Sequence, residues 1–403
     1  MRPAADHAPT RLLARPNLAW LGAGFGLCYF SSFGQTFFIA LFARDIAAIG
    51  GLSHGGYGAL YSVASLLSGF TMLWLGAQID RSDLRRFCMS AVVGLAAACL
   101  LLAAATHGLM LMLAIFGLRL FGQGLMSHAA MTTVARHLGS FRGRGVALAA
   151  LGFSVGEASL PYLTVQLQDV LGWRLVFAAA AVLLLAVLLP LLFLLLPAGS
   201  GRPGHGQAPV RPAFWLLRER RFGLILPLIL TSPFVGTGIF FHQVALVEAK
   251  GWSLGRFAAA FVAFAATSVT GSLAAGWLVD RLGAIRLLPW LMLPLAAGCL
   301  VLGSGDHTGV MYQFMALAAL TIGAYATVTT SAWAELYGLE SLGSVRALAS
   351  SATILAAAAA PGALGFLLDA GVSFPAILYG CAGFAVAASL LASWGLRGSR
   401  RQA

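Results

Sequence analysis

Charge is what this chain has least of. Of 403 residues, 9% are charged, whereas a soluble globular protein carries about 25%. Too few charges are present to coat a water-facing surface, which excludes a soluble enzyme, a nucleic-acid-binding protein and a disordered scaffold. Lysine is nearly missing, with one among 25 basic residues. Cysteine is sparse too. Cys28, Cys88, Cys99, Cys299 and Cys381 show neither metal-ligand spacing nor a paired framework, and read as small apolar fillers of helices. No phosphate-cradling Walker loop and no His-Glu-x-x-His occurs, so neither an ATP-driven pump nor a metalloprotease is expected. We therefore expect no enzyme activity, no cofactor and no metal.

Long apolar runs are what the chain has instead. Residues of the hydrophobic classes make up 60%, and the mean hydropathy is +0.88. A helix needs ~20 apolar residues to cross a hydrocarbon core of ~30 Å. Runs of that kind lie near 18–43, 55–79, 87–106, 108–136, 144–167, 174–197, 222–247, 255–279, 287–304, 309–336, 346–368 and 374–396. They are continuous and rich in Leu and Ala, unlike the alternating ~10-residue strands of a membrane barrel. Arg2, Arg11 and Arg15 precede the first run, which is too long for a signal-peptide core and is read as a span.

The net charge of +12 is a topology signal, because the basic residues sit in short breaks between runs. With the N-terminus inside, 20 basic residues fall on that side and four (Arg44, Arg174, Lys250, Arg256) on the other. Both termini are thus expected in the cytoplasm. The scarcity of lysine suggests a high-GC bacterium, and hence the inner membrane. The stretch 198–221, rich in Gly, Pro and Arg, reads as a cytoplasmic linker between 1–197 and 222–403.

Those two parts repeat. At an offset of 200, Gly51 and Ser53 fall on Gly251 and Ser253, and Gly76, Asp80 and Arg81 on Gly276, Asp280 and Arg281. Pro161 falls on Pro361 and Asp169 on Asp369. Six spans per copy keep both copies in one orientation, as in a parallel repeat about an axis along the membrane normal.

Gly276-Trp-Leu-Val-Asp280-Arg281-Leu-Gly283-Ala-Ile-Arg286 resembles the loop 2–3 signature of the major facilitator superfamily. The first copy, Gly76-Ala-Gln-Ile-Asp80-Arg81, departs at the later glycine, where Asp83 stands. Arg119-Leu-Phe-Gly122-Gln123-Gly124 is similar to a loose form of the family's span-4 arginine motif. The resemblance implies an all-α membrane protein of 12 transmembrane helices in two six-helix bundles. It implies alternating access, a cavity lined by spans 1, 4, 7 and 10, and a gate at Asp80, Arg81, Asp280 and Arg281.

Two ionisable residues of opposite sign lie deep in the expected spans, Arg119 in span 4 and Glu157 in span 5. A charge at the bilayer centre costs at least ~2.5 kcal/mol, so such groups pair or face a cavity. Their similar depth predicts that they pair, or nearly pair, beside the cavity. Arg119 is then positioned to hold a substrate carboxylate, and Glu157 to bind a coupling proton. A static pair orienting the two helices is the alternative. Gln123, four residues on from Arg119, should share its face. With Tyr29, Gln35, His242 and Tyr325 it completes the candidate substrate contacts.

The function expected is secondary active transport of a small organic solute, an organic anion on the strength of Arg119, coupled to protons as a symport. Drug or metabolite efflux, and a non-transporting receptor, are the alternatives. The expected partners are the solute, protons and the lipid bilayer, without nucleic acid, for a monomeric chain.

Overall fold

The structure, a computed structural model, describes residues 15–80, 82–199 and 214–397. No strand occurs among them. Eleven helices are long and apolar enough to cross a membrane, and a twelfth span is a pair bent by 43°. In chain order these are α1 (Asn17–Gly34 with Thr36–Gly50), α2 (His54–Leu75), α3 (Leu84–Ala103), α4 (Gly108–His137), α5 (Arg142–Leu171) and α6 (Trp173–Leu195), followed by α7 (Arg220–Phe241), α8 (Leu254–Leu282), α9 (Ala284–Ser304), α10 (Thr308–Gly338), α11 (Glu340–Asp369) and α12 (Phe374–Gly395). All-α architecture with twelve apolar spans is what the sequence predicts. Leu73, Trp74, Val170 and Leu194 are 70% or more exposed, as befits side chains that face lipid. We name the end carrying Arg15 and Arg397 inner, after the arginine asymmetry, and the opposite end outer.

Two boundaries depart from the sequence reading. α1 continues to Gly50, beyond the expected 43. The expected connection at 337–345 shrinks to almost nothing, since α10 ends at Gly338 and α11 begins at Glu340. Gly338 makes this corner with φ 74° and ψ 166°, a conformation that costs a residue bearing a Cβ. Of the expected linker, only 198–199 and 214–221 are among the described residues; Phe214–Arg218 forms a turn of 3-10 helix, and Arg220 and Arg221 begin α7.

α1 and α4 are both irregular where they cross. α1 tightens to a 3-10 turn over Ser31–Gly34 and breaks at Gln35, which is extended (ψ 153°). α4 widens to a π-helix over Leu118–Met126, a form rare except near functional sites. The two meet glycine to glycine: a Cβ on Gly122 would lie 2.7 Å from the Gly34 Cα. A Cβ on Gly34 would strike the Leu118 carbonyl.

α7 has its own interruption. Pro233 carries no N–H, so the carbonyl of Ile229, four residues earlier, loses its helical donor. The Tyr325 hydroxyl of α10 donates to that carbonyl at 2.7 Å. A helix defect inside the bilayer is thus repaired by a neighbouring helix.

The first six and last six spans meet closely at the outer end. Gln243 Nε2 of the segment after α7 donates to the Phe37 carbonyl at 2.8 Å. Tyr57 and Tyr61 of α2 pack on Phe241 with ring centroids 5.0 and 4.7 Å apart. Arg44 pairs with Glu248 at 3.1 Å, in an exposed position where such a pair contributes at most about 1 kcal/mol.

Gly34→Ala should therefore lower the thermal midpoint in detergent, with a cost of about 1–3 kcal/mol from overpacking. Gly223→Ala has open space around its new methyl and should hold or raise the midpoint. Equal midpoints for the two variants would contradict the glycine-to-glycine crossing.

Candidate functional site

A cavity lies between the two sets of spans, below the outer seal. Its upper part, about 250 Å³, is lined by Gln35, Thr36, Gln123, Glu157, Tyr325 and a group of phenylalanines. Its lower part, about 560 Å³, shares Gln35, Phe37, Glu157 and Ile322, and runs between α5 and α8 past Ala147 and Leu273 toward the inner end. The two sets of spans thus touch near the end named outer and leave the cavity below that contact.

One wall is aromatic. Phe37 of α1, Phe240 of α7 and Phe261 and Phe264 of α8 form a connected cluster with centroid spacings of 5.4–5.9 Å. The polar side groups Gln35, Gln123 and Glu157 lie on the same cavity. Glu157 is carried by α5, whose Gly152 and Gly156 let it lie against α1. A Cβ on Gly152 would press the Phe25 carbonyl, and one on Gly156 the Ser32 hydroxyl. Among the described residues Glu157 has neither a hydrogen bond nor an ion pair.

Arg119 stands elsewhere. It is buried, with 8% of its surface exposed. Its Nη1 donates to Thr36 Oγ1 (3.2 Å) and to the Gly34 carbonyl (3.4 Å). Tyr61 donates its hydroxyl to the same Thr36 oxygen at 2.9 Å, and the guanidinium carbon sits 5.3 Å from the Tyr61 ring centroid. Arg119 thus binds the backbone at the break in α1 and lines neither part of the cavity. The expected pairing of Arg119 with Glu157 is corrected: no ion pair joins them within 4.0 Å. Equal depth along two helices did not imply facing sides. Gln123 lines the cavity, while Arg119, four residues earlier, does not.

The other candidates divide as well. Gln35 and Gln123 are on the cavity wall. Tyr325 presents its ring there, its hydroxyl being taken by Ile229. Tyr29 shares a hydrogen bond with Ser159 of α5 (3.3 Å) and lies off the cavity, which corrects its placement among the contacts. His242 is also off it: its Nε2 donates to the Pro361 carbonyl at 2.9 Å, on the wall of a separate outer pocket of about 500 Å³.

The gate residues are only partly described. The backbone of Asp80 ends a 3-10 turn, while its side chain, and Arg81 altogether, lie outside the described residues. Asp280 is exposed and has no hydrogen bond or ion pair among the described residues, and Arg281 covers the Trp277 ring at 4.1 Å. The acid that binds a helix start at this inner level is Glu335 at the end of α10. It accepts from the amides of Ala284 (2.7 Å) and Ile285 (3.0 Å). In the first copy Asp83 caps its own helix through the Arg86 amide at 2.9 Å. Gly283 stands in that place in the second copy, so the cap must come from another helix.

Phe261, Phe264 and Ser268 of α8 were not anticipated as cavity residues. The signal was present: aromatic and hydroxyl residues on one face, three or four apart. Gly152-Phe-Ser154-Val-Gly156 has the spacing of a hydrolase nucleophile elbow. It lies inside an unbroken helix, not at the strand-to-helix turn that chemistry requires.

Twelve spans around a central, one-sided cavity define a membrane solute carrier, and the comparisons agree. The profile of the Major Facilitator Superfamily matches residues 25–261 and 236–403. The chain belongs to that superfamily. The fold is similar to that of a bacterial homologue of the human lysosomal transporter Spinster, in an inward-facing and occupied conformation. That pair shares 15% identity, 94% of this chain, 96% of the other and a TM-score of 0.70. The nucleoside transporter NupG is similar at 12% identity, with 95% and 100% covered and a TM-score of 0.77. No curated protein matches the sequence.

Thr36→Val removes the acceptor shared by Arg119 and Tyr61. It should lower the thermal midpoint by the equivalent of about 1–3 kcal/mol. Asp280→Asn, at an exposed position without a hydrogen bond among the described residues, should leave the midpoint in place. A Thr36→Val midpoint equal to wild type would remove Arg119 from its tie to α1.

Proposed function

We propose that this chain is a secondary active carrier of a small organic solute, working by alternating access, with Glu157 as the proton-binding group. One observation carries the reading: an acid with no cation beside it and no hydrogen bond faces the central cavity. An acid so placed in a membrane protein is costly when charged, and binds a proton or a cation readily. The six-span parts, within 1–197 and 222–403, are the bodies that rock about the cavity. The direction is symport, in a bacterial inner membrane with both termini cytoplasmic and the chain a monomer.

The solute fits the lining. Four phenylalanine rings supply a flat apolar surface, and two glutamines supply donors and acceptors. A neutral or cationic solute bearing a ring suits this surface. Nucleosides, the cargo named for the structural neighbour NupG, are one neutral group of that description. An organic anion is the second reading. It rests on Arg119 Nε, which is buried without a partner and is available if the α1 break moves. Efflux by antiport would use the same acid in the opposite direction.

Two measurements test this. In liposomes, Glu157→Gln should abolish solute-driven proton flux while solute counterflow persists; unchanged coupling would remove Glu157 as the proton site. A thermal-shift panel of nucleosides, aromatic amines and carboxylates should show stabilisation by ring-bearing neutral or cationic solutes. A ligand at ~100 times its Kd adds about 2.7 kcal/mol. Stabilisation by carboxylates that is lost in Arg119→Ala would favour the anion instead. Binding without any flux would favour a receptor.

A further inference from the structure

The repeated aspartates, Asp169 and Asp369, have no part in the cavity. Both end a helix at the outer end, Asp169 two residues before the end of α5 and Asp369 as the last residue of α11. Their situations differ sharply.

Asp369 crosses to the first six spans and caps α2. Its carboxylate accepts from the Ser53 hydroxyl (2.6 Å), the Gly55 amide (2.9 Å) and the His54 amide (3.1 Å). Three donors at a helix N-terminus, where the backbone dipole is positive, hold one negative group. The helices below it touch backbone to backbone. A Cβ on Gly58 would strike the Pro361 carbonyl, and one on Gly365 would strike the His54 carbonyl and stand 2.8 Å from the Gly55 Cα. The Gly362 amide donates to Ser62 Oγ at 3.3 Å.

The repeat-related corner pairs α5 with α8. The same three donors exist there, at Ser253, Leu254 and Gly255, and the same acid, Asp169. Yet Asp169 is exposed with no hydrogen bond, and Ser253 makes no side-chain cap. The glycines explain the difference. Gly58, Gly362 and Gly365 have Ala258, Tyr162 and Val165 as counterparts. Those side chains stand where the α2–α11 corner has bare backbone. At the α5–α8 corner a Cβ on Gly255 would be 3.5 Å from Gln166 Nε2, an ordinary contact. The neighbouring Gln168 Nε2 turns to Asp45 at 3.1 Å, within its own six spans.

We propose that, of the two repeat-related corners of the outer seal, only one is fastened: Asp369 on the α2 N-terminus is the latch, and Asp169 is its idle copy. Opening to the outside then requires breaking three charge-assisted hydrogen bonds at the α2–α11 corner and none at the α5–α8 corner. Arg44, Glu248, His54 and His242 share the outer pocket with Asp369. Of these, Arg44 and Glu248 are spent on each other, which leaves the latch to Asp369.

The test is a distance across the outer end. Spin labels go on cysteines replacing Ala48 and Ser373, which are exposed, in full-length protein in nanodiscs with the native cysteines replaced by alanine. Asp369→Ala should add or enlarge a longer-distance population, and Asp169→Ala should superimpose on the unaltered protein. Asp369→Asn, which keeps an acceptor and loses the charge, should fall between. If Asp369→Ala does not fold, Gly365→Ala serves, because its methyl strikes the His54 carbonyl and should shift the population the same way. An unchanged distribution for the Asp369 or Gly365 variants would overturn the proposal. So would an equal shift in Asp169→Ala. The readout needs no solute, so its failure leaves the Glu157 reading standing, and failure of that reading leaves the latch standing.

Discussion

In hydrocarbon a backbone N–H or C=O has no water to turn to, and each one left alone costs several kcal/mol. The arrangement of this protein follows from where its helices break that rule and which side chain repairs the break. α1 opens at Gln35, and Arg119 binds the Gly34 carbonyl beside the opening. α7 loses a donor at Pro233, and Tyr325 supplies one to Ile229. α10 gives Glu335 to the first amides of α9. Each repair joins two helices at the level of the cavity or at its ends, so the polar side chains that hold the bundle together also fix the shape of the space within it.

Arg119 shows how much this constraint decides. A buried guanidinium has five donors and no acceptor, so it is drawn to whatever unpaired oxygen lies nearest. In a regular bundle that oxygen would be a carboxylate. Here an opened helix offers a carbonyl and a hydroxyl instead, and the carboxylate of Glu157 is left facing the cavity. A charge repelled by lipid and unclaimed by a partner is chemically available, which a paired one is not.

The outline of the fold was legible in the sequence because it depends on composition and length. Twelve apolar runs, the arginine asymmetry and the duplicated Gly-x-x-x-Asp-Arg needed no tertiary knowledge. Glu157 follows from its depth and charge, Gln35 from its place in span 1 and Gln123 from its spacing to Arg119, and all three line the cavity. What failed was azimuth. Depth along a helix follows from counting residues, but the side a residue faces depends on every turn being regular. Arg119 turns to the opened α1 at Gly34 and Thr36, and Tyr29 turns to Ser159 of α5, both away from the cavity. The α8 aromatics lie outside the four spans, 1, 4, 7 and 10, that the family resemblance assigns to the cavity wall. The opening between α5 and α8 brings a fifth and sixth helix into the wall.

The corner at Gly338 has a mechanical meaning. α10 and α11 are joined by so short a connection that they turn as one bent arm. Ile322 and Tyr325, at the cavity, ride on one limb of this arm, and Asp369 sits at the far tip of the other. In the first copy the matching pair, α4 and α5, is joined through residues 138–141, a 3-10 turn whose Leu138 and Phe141 pack with Leu21 and Val134. The duplicated halves match in plan and differ at this elbow, a single glycine in one and a packed turn in the other.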